Sequence, residues 1–268
     1  MDSEQKREMI ATQIWLEEPE PNNPFTTRIA YCRGYDVYGE MLGRSRWVDM
    51  IYLLFRDEPP SPAQAQLLET LAVALANPGP RDPSVHAAMC GGVGGSTAAS
   101  CLIAALAVGA GQLGGGREVF LMMEDWYACG IDLDLWRSRL ATPTANVTTV
   151  WPESDHRPGF DPHGMTTAMI VTQTLACLTK LFHGTHLSWL EANRNILEMA
   201  VERPLALSGI AATAFVDLGL TPDQGEMLYL MLRLPGAAAH ALEQRSYGHK
   251  KFPFFSVELE NDPEMELP

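Results

Sequence analysis

Apolar residues recur at helical spacing over most of the chain. Val48, Ile51, Tyr52, Leu54 and Phe55 predict a helix that Pro59-Pro60 stops. Ser61-Pro62 then has the form of a helix start, with Ser at the cap and Pro at the first helical position. That second helix carries Leu67, Leu68, Leu71, Val73 and Leu75 and ends at Asn77-Pro78-Gly79-Pro80. Asp82-Pro83 repeats the start signal, and Thr221-Pro222-Asp223 gives it once more ahead of Leu228, Met231 and Leu232. Met165–Phe182 and Leu187–Val201 read as two helices separated by His183-Gly184-Thr185, and 117–140 as one or two short ones.

Other segments break the pattern. Residues 1–26 read as an irregular arm, because Glu17-Glu18-Pro19-Glu20-Pro21-Asn22-Asn23-Pro24 cannot continue a helix. Val85–Leu113, rich in Ala and Gly, reads as a buried core helix with glycine interruptions where backbones approach closely. Pro235-Gly236 interrupts the last helix, which resumes through His240 and Leu242, and 141–164 is loop-like. No sustained period-2 alternation and no Asn-Gly hairpin signal occurs, so the expected fold class is mainly α.

Composition narrows the function classes. The 268 residues carry a net charge of −14, which argues against nucleic acid or an anionic membrane surface as principal partner. Hydrophobic residues make up 46 % and charged residues 19 %, so much surface is expected to be buried, in the core or between subunits. No apolar run reaches the roughly 18 residues of a membrane span, and the acidic N-terminal stretch lacks the order of a signal peptide. Five widely spaced cysteines form no CxxC pair; a reducing cytoplasm is the expected location.

The glycine clusters at 91–95 and 109–116 follow no strand and contain no GxxxxGK, so close helix packing or a hinge is the expected use rather than a phosphate cradle. His183 and His186 stand three apart with no third ligand in view, and no metal site is expected. The loop 151–163 is different. It sets Asp155, His156, Arg157, Asp161 and His163 on a proline-stiffened segment, where His suits proton transfer near neutrality and Arg suits a carboxylate. The alternative reading of that loop is a polar surface turn.

Four stretches stand out in order: Arg33-Gly34-Tyr35-Asp36-Val37; Val48–Arg56 followed by Pro60-Ser61-Pro62-Ala63-Gln64-Ala65; Leu71–Pro80 with Ser84-Val85-His86; and Arg233-Leu234-Pro235-Gly236 through Gln244. Through them the chain, from about Thr27 to Pro253, resembles the citrate synthase superfamily, in particular its short citryl-CoA-lyase-like members. It implies a large helical domain (27–115 with 204–260), a small helical domain (116–203), the arm 1–26 and a tail 261–268. It implies a homodimer that makes or breaks a carbon–carbon bond between an acyl-CoA and an oxo acid, with a coenzyme A thioester as substrate and no tightly bound cofactor.

The same resemblance assigns candidate residues. His156 matches the carbonyl-polarising histidine, Asp155 or Asp161 is a replacement base, Arg157, His163, Arg233 and His86 are substrate-binding, and Lys250 and Lys251 are CoA-binding. The chain also departs from the family pattern. His163 stands where the family has a carboxylate-binding Arg, Pro78 where it has a substrate-binding His, and no His accompanies Gly114-Gly115-Gly116. The catalytic Asp falls near Leu207-Ser208-Gly209, and Ser208 is no equivalent base. The departures imply altered chemistry or, in the alternative, a catalytically inactive paralogue that binds a metabolite or partner as a dimer.

Overall fold

The computed structural model describes residues 11–141, 156–253 and 255–257. Its helices are α1 (Trp47–Phe55), α2 (Pro62–Leu75), α3 (Pro83–Val93), α4 (Ala98–Gly109), α5 (Gly116–Cys129), α6 (Leu133–Ala141), α7 (Met169–Leu181), α8 (Thr185–Val201), α9 (Leu207–Asp217) and α10 (Pro222–Tyr247). Two single turns, Val37–Met41 and His249–Lys251, and three short strands complete the described elements. The mainly helical expectation therefore holds.

The helix starts form as their residues dictate. Ser61 N–H donates to Gln64 Oε1 at 2.9 Å and Gln64 N–H to Ser61 Oγ at 3.2 Å, a reciprocal cap ahead of α2. Thr221 and Gln224 repeat it at α10, at 2.9 and 3.3 Å. Asp82 caps α3 by accepting from Ser84 N–H at 2.9 Å.

Three expectations are corrected. The segment read as an irregular arm carries an antiparallel hairpin, β1 (Trp15–Glu20) with β2 (Asn23–Cys32), and β3 (Tyr35–Asp36) adds to its far edge. Most hairpin positions are exposed on both faces, so no alternation of apolar and polar residues marks them, and Pro19 sits where the register shifts. The single helix read over Val85–Leu113 is two, α3 and α4, divided at Gly94–Ser96 with Thr97 capping the second, and α4 leaves Ile103 and Val108 exposed. Pro235 does not interrupt α10. The next N–H, of Gly236, goes to the carbonyl of Ala76 at 2.7 Å, and glycine is required there because a Cβ would lie 2.7 Å from that oxygen.

Contacts group the described residues into two compact units, one within 1–75 and 111–232 and one within 76–110 and 233–268. In the first unit α9 lies against α5, α7 and α8. Every residue of α9 from Ser208 to Val216 is buried, the mark of a central core helix. Around it pack Leu67, Leu68 and Leu71 of α2, Val119, Met122 and Met123 of α5, Leu175 and Leu178 of α7 and Leu187 and Leu190 of α8. Trp126 meets Trp136 edge-on at 4.8 Å between ring centres.

The second unit has its own small core of Val85, Ala88, Met89, Cys101, Ala105, Ala237 and Ala241. Here the expectation of close glycine packing holds. A Cβ on Gly92 of α3 would stand 2.2 Å from the carbonyl oxygen of Ala241 in α10.

Candidate active site

In the first unit the backbone itself builds the site. Phe160 bridges Leu205, Asp161 N–H donates to Pro204 O at 2.8 Å, and Ala206 N–H to Gly159 O at 2.9 Å. This stitch lays the end of the predicted catalytic loop along the segment that enters α9. Gly159 is required in it. Its φ is +84°, and a Cβ would lie 2.9 Å from Met122 Sδ and 3.1 Å from Gly209 Cα.

The stitch brings His156 and Ser208 to one buried carboxylate, Glu118. Glu118 occupies the first turn of α5 and is 1 % exposed. Its Oε1 accepts from Gly159 N–H at 2.9 Å and from Ser208 Oγ at 2.6 Å. Its Oε2 accepts from Gly114 N–H and stands 3.2 Å from His156 Nε2, within ion-pair distance. Sequence reasoning missed Glu118. The available signal was an acidic residue two positions after Gly114-Gly115-Gly116, where a helix N-terminus favours negative charge. Ser208, read there only as a lost aspartate, is a hydrogen-bond donor to that carboxylate.

The other expected residues of this unit lie on the same loop. His156 is buried, Arg157 and Asp161 are half-buried, and His163 is exposed. Asp161 Oδ1 accepts from His163 N–H at 2.9 Å, which stiffens the turn. Asp155 lies outside the described residues. Burial holds the Arg157 guanidinium below the ordinary arginine range, against an opposing pull from Asp125. Asp125 is buried, and its carboxyl is pushed above the ordinary range although Arg139 Nε donates to it at 2.6 Å.

The second unit holds the remaining candidates. Arg233 is buried and its guanidinium is bonded to Asp82, so the expected carboxylate anchor already holds an internal counter-charge. His86 stacks on Phe252 at 5.7 Å between ring centres. Lys250 and Lys251 are exposed, with Lys251 Nζ 5.0 Å over the ring of Tyr247. Among the described residues no group of three His, Cys, Asp or Glu is placed to hold a metal ion. His186 instead lies 2.8 Å from Asp217, which also accepts from the His186 and Leu187 backbone at the start of α8.

A mainly helical chain with a buried Glu–His–Ser cluster at the stitch between a loop and its central helix is thus the class of structure at hand. Its fold is the citrate synthase-like fold. The chain matches citryl-CoA lyase from Hydrogenobacter thermophilus with a TM-score of 0.69 at 18 % identity, over 97 % of this chain and 100 % of that one. It matches ATP citrate lyase from Methanothrix soehngenii, solved with citrate and coenzyme A, with a TM-score of 0.72 at 15 % identity over 98 % of this chain. The D541A mutant of Methanosaeta concilii ATP citrate lyase, solved with (3S)-citryl-CoA, matches with a TM-score of 0.72 at 14 % identity over 98 % of this chain. The chain spans 44 % of each ATP citrate lyase chain. No protein-family model and no curated protein matches the sequence. Among the described residues no helix is long and apolar enough to cross a membrane.

Proposed function

We propose that the chain is a divergent citryl-CoA-lyase-like enzyme that makes or breaks a carbon–carbon bond between an acyl-CoA and an oxo acid. The observation that carries this reading is the likeness in fold between 97 % of this chain and the full length of citryl-CoA lyase. In the cleavage direction, the hydroxyl of the oxo-acid half gives up its proton as the carbon–carbon bond breaks. The electron pair passes to the thioester as an enolate, which is then protonated to the acyl-CoA. His156 is the donor at the developing charge, and a preorganised donor of this kind is worth about 10²–10³ in rate. Asp161 or Asp155 takes the hydroxyl proton. Arg157 and His163 on the loop recognise carboxylates; in the second unit His86, Lys250 and Lys251 keep the substrate and coenzyme A roles that the resemblance gives them, while Arg233, already bonded to Asp82, serves that pair rather than a substrate.

Ordinary citrate synthesis from acetyl-CoA and oxaloacetate is expected to be far below the roughly 10 per second of a typical enzyme. Pro78 carries no side-chain donor, Ser208 is no carboxylate, and His163 is a weaker dicarboxylate clamp than Arg. The working unit is a homodimer, supported by exposed apolar residues such as Ile103, Met169, Ile170 and Leu242.

The same replacements favour a second reading, a dimeric binding protein without turnover. Ser208 supports it, because its hydroxyl is spent on Glu118. Thermal unfolding and calorimetry with acetyl-CoA, citryl-CoA and citrate test both. Saturable binding of a CoA thioester with product release supports the enzyme, binding without release supports the second reading, and no binding of any of the three removes both.

A further inference from the structure

We infer that Glu118 is the positioning residue of this site: it holds the His156 ring in its working place and ties that ring to Ser208. The inference rests on the reading of His156 given above. An ionised carboxylate offers about four lone-pair directions. Gly114 N–H, Gly159 N–H and Ser208 Oγ–H donate to Glu118, and His156 Nε2 stands 3.2 Å from its Oε2. With three directions taken and the carboxylate 1 % exposed, Glu118 is closed off from substrate, so it positions and does not transfer.

Geometry explains why the residue must be glutamate and why the position matters. The carboxylate is 1 % exposed, and a buried charge is tolerated only where its partners are all present. Those partners come from three separate stretches: the turn before α5, the loop at 156–159 and the first turn of α9. The charge is therefore satisfied only when the His156 loop is docked on α9. Aspartate, one methylene shorter, cannot reach all of them from the same backbone. Glutamine fits the volume but turns an NH₂ group toward the N–H donors on one side, a donor-to-donor clash.

The family pattern places a catalytic aspartate near Ser208, and the chain has none there. Through Ser208 the buried carboxylate of Glu118 is linked to that place at 2.6 Å, and on its other oxygen it faces the retained histidine. The pair works as one unit, so a change at Ser208 reaches His156 through Glu118.

The test uses the full-length protein with uniform ¹⁵N labelling and citryl-CoA as substrate. Glu118→Gln is expected to move the imidazole ¹⁵N resonances of His156, identified by their loss in His156→Ala, while leaving the other histidines in place. It is expected to lower kcat for cleavage about 10²-fold, with KM changed less than about 3-fold, because a misplaced donor is felt mainly in the transition state. Ser208→Ala, which removes one donor and adds no clash, moves the same resonances and lowers kcat by a smaller factor. Should Glu118→Gln not fold, Ser208→Ala carries the test alone.

Unchanged His156 resonances in every folded variant overturn the inference, as does a loss that falls on KM alone. Should the wild-type protein bind CoA thioesters but cleave none, shifted His156 resonances still uphold the positioning role while the proposed activity fails. The two failures are thus read separately.

Discussion

The guanidinium of Arg233 is bonded to the carboxylate of Asp82, the residue that caps α3. Arg233 is buried, so the pair fixes the start of α3 against the middle of α10. Breaking such a pair from one side leaves a charge without its counter-ion, at about 3–5 kcal/mol for full burial. Asp82 is partly exposed, which places the cost at the low end of that range. Asp82→Asn keeps a capping oxygen and removes the charge. It is expected to lower the urea midpoint clearly, with the slope of the transition unchanged. A midpoint equal to wild type removes the role assigned to the pair.

Gly92→Ala is expected to destabilise the second unit. The added Cβ would stand 2.2 Å from Ala241 O and 3.2 Å from Ala241 Cα, both backbone atoms with no rotamer to yield. Overpacking of this kind costs about 1–3 kcal/mol. Gly95→Ala is the comparison for backbone strain alone, since its φ is +73° and no atom lies within 4 Å of the added carbon. Thermal melts of the two variants separate crowding from conformational strain.

Asp125 sets a pH dependence of stability. Burial raises its carboxyl above the ordinary range, and Arg139 pulls the other way. A native acid raised in this way keeps its proton where the unfolded chain, near the ordinary value of about 3.9, has released it. Its contribution is therefore fully present below the unfolded value, is lost as pH rises through the raised native value, and is level above it. Melts of wild type and Asp125→Asn between pH 3 and 7 check this. Relative to the variant, the wild type is expected to gain stability as pH falls, and the opposite slope contradicts the assignment.

Homodimer formation is checked by sedimentation velocity at micromolar concentration. A single species near twice the chain mass is expected, and a monomer removes the claim. Ile103→Glu on α4 and Ile170→Glu on α7 test which exposed apolar face is used, since both side chains are more than half exposed within the chain.

Helices were legible where a start signal and an apolar face coincided. Ser61-Pro62, Asp82-Pro83 and Thr221-Pro222 each begin a helix, because cap geometry is decided by neighbours in sequence. The β1–β2 hairpin was not legible, because alternation marks a strand only when one face is buried, and here most of both is exposed. The sequence signal of Pro235 is an interruption, whereas the helix continues through it because the Gly236 N–H finds a distant partner, the carbonyl of Ala76. His156 could be singled out from its loop and from the family pattern. Glu118 carried only the signal of an acid in a first helical turn, since its role comes from Ser208 and Gly159, which lie far away in sequence and meet it only in the fold.

The most direct measurement is a stopped assay of citryl-CoA with the full-length protein, quantifying acetyl-CoA and oxaloacetate together, with His156→Ala alongside. Carbon–carbon cleavage requires the two products in equal amounts, at a rate proportional to enzyme and lowered at least about 10²-fold in the variant. Release of free CoA with intact citrate would show thioester hydrolysis instead, and absence of both products, or equal rates in wild type and His156→Ala, would contradict the account.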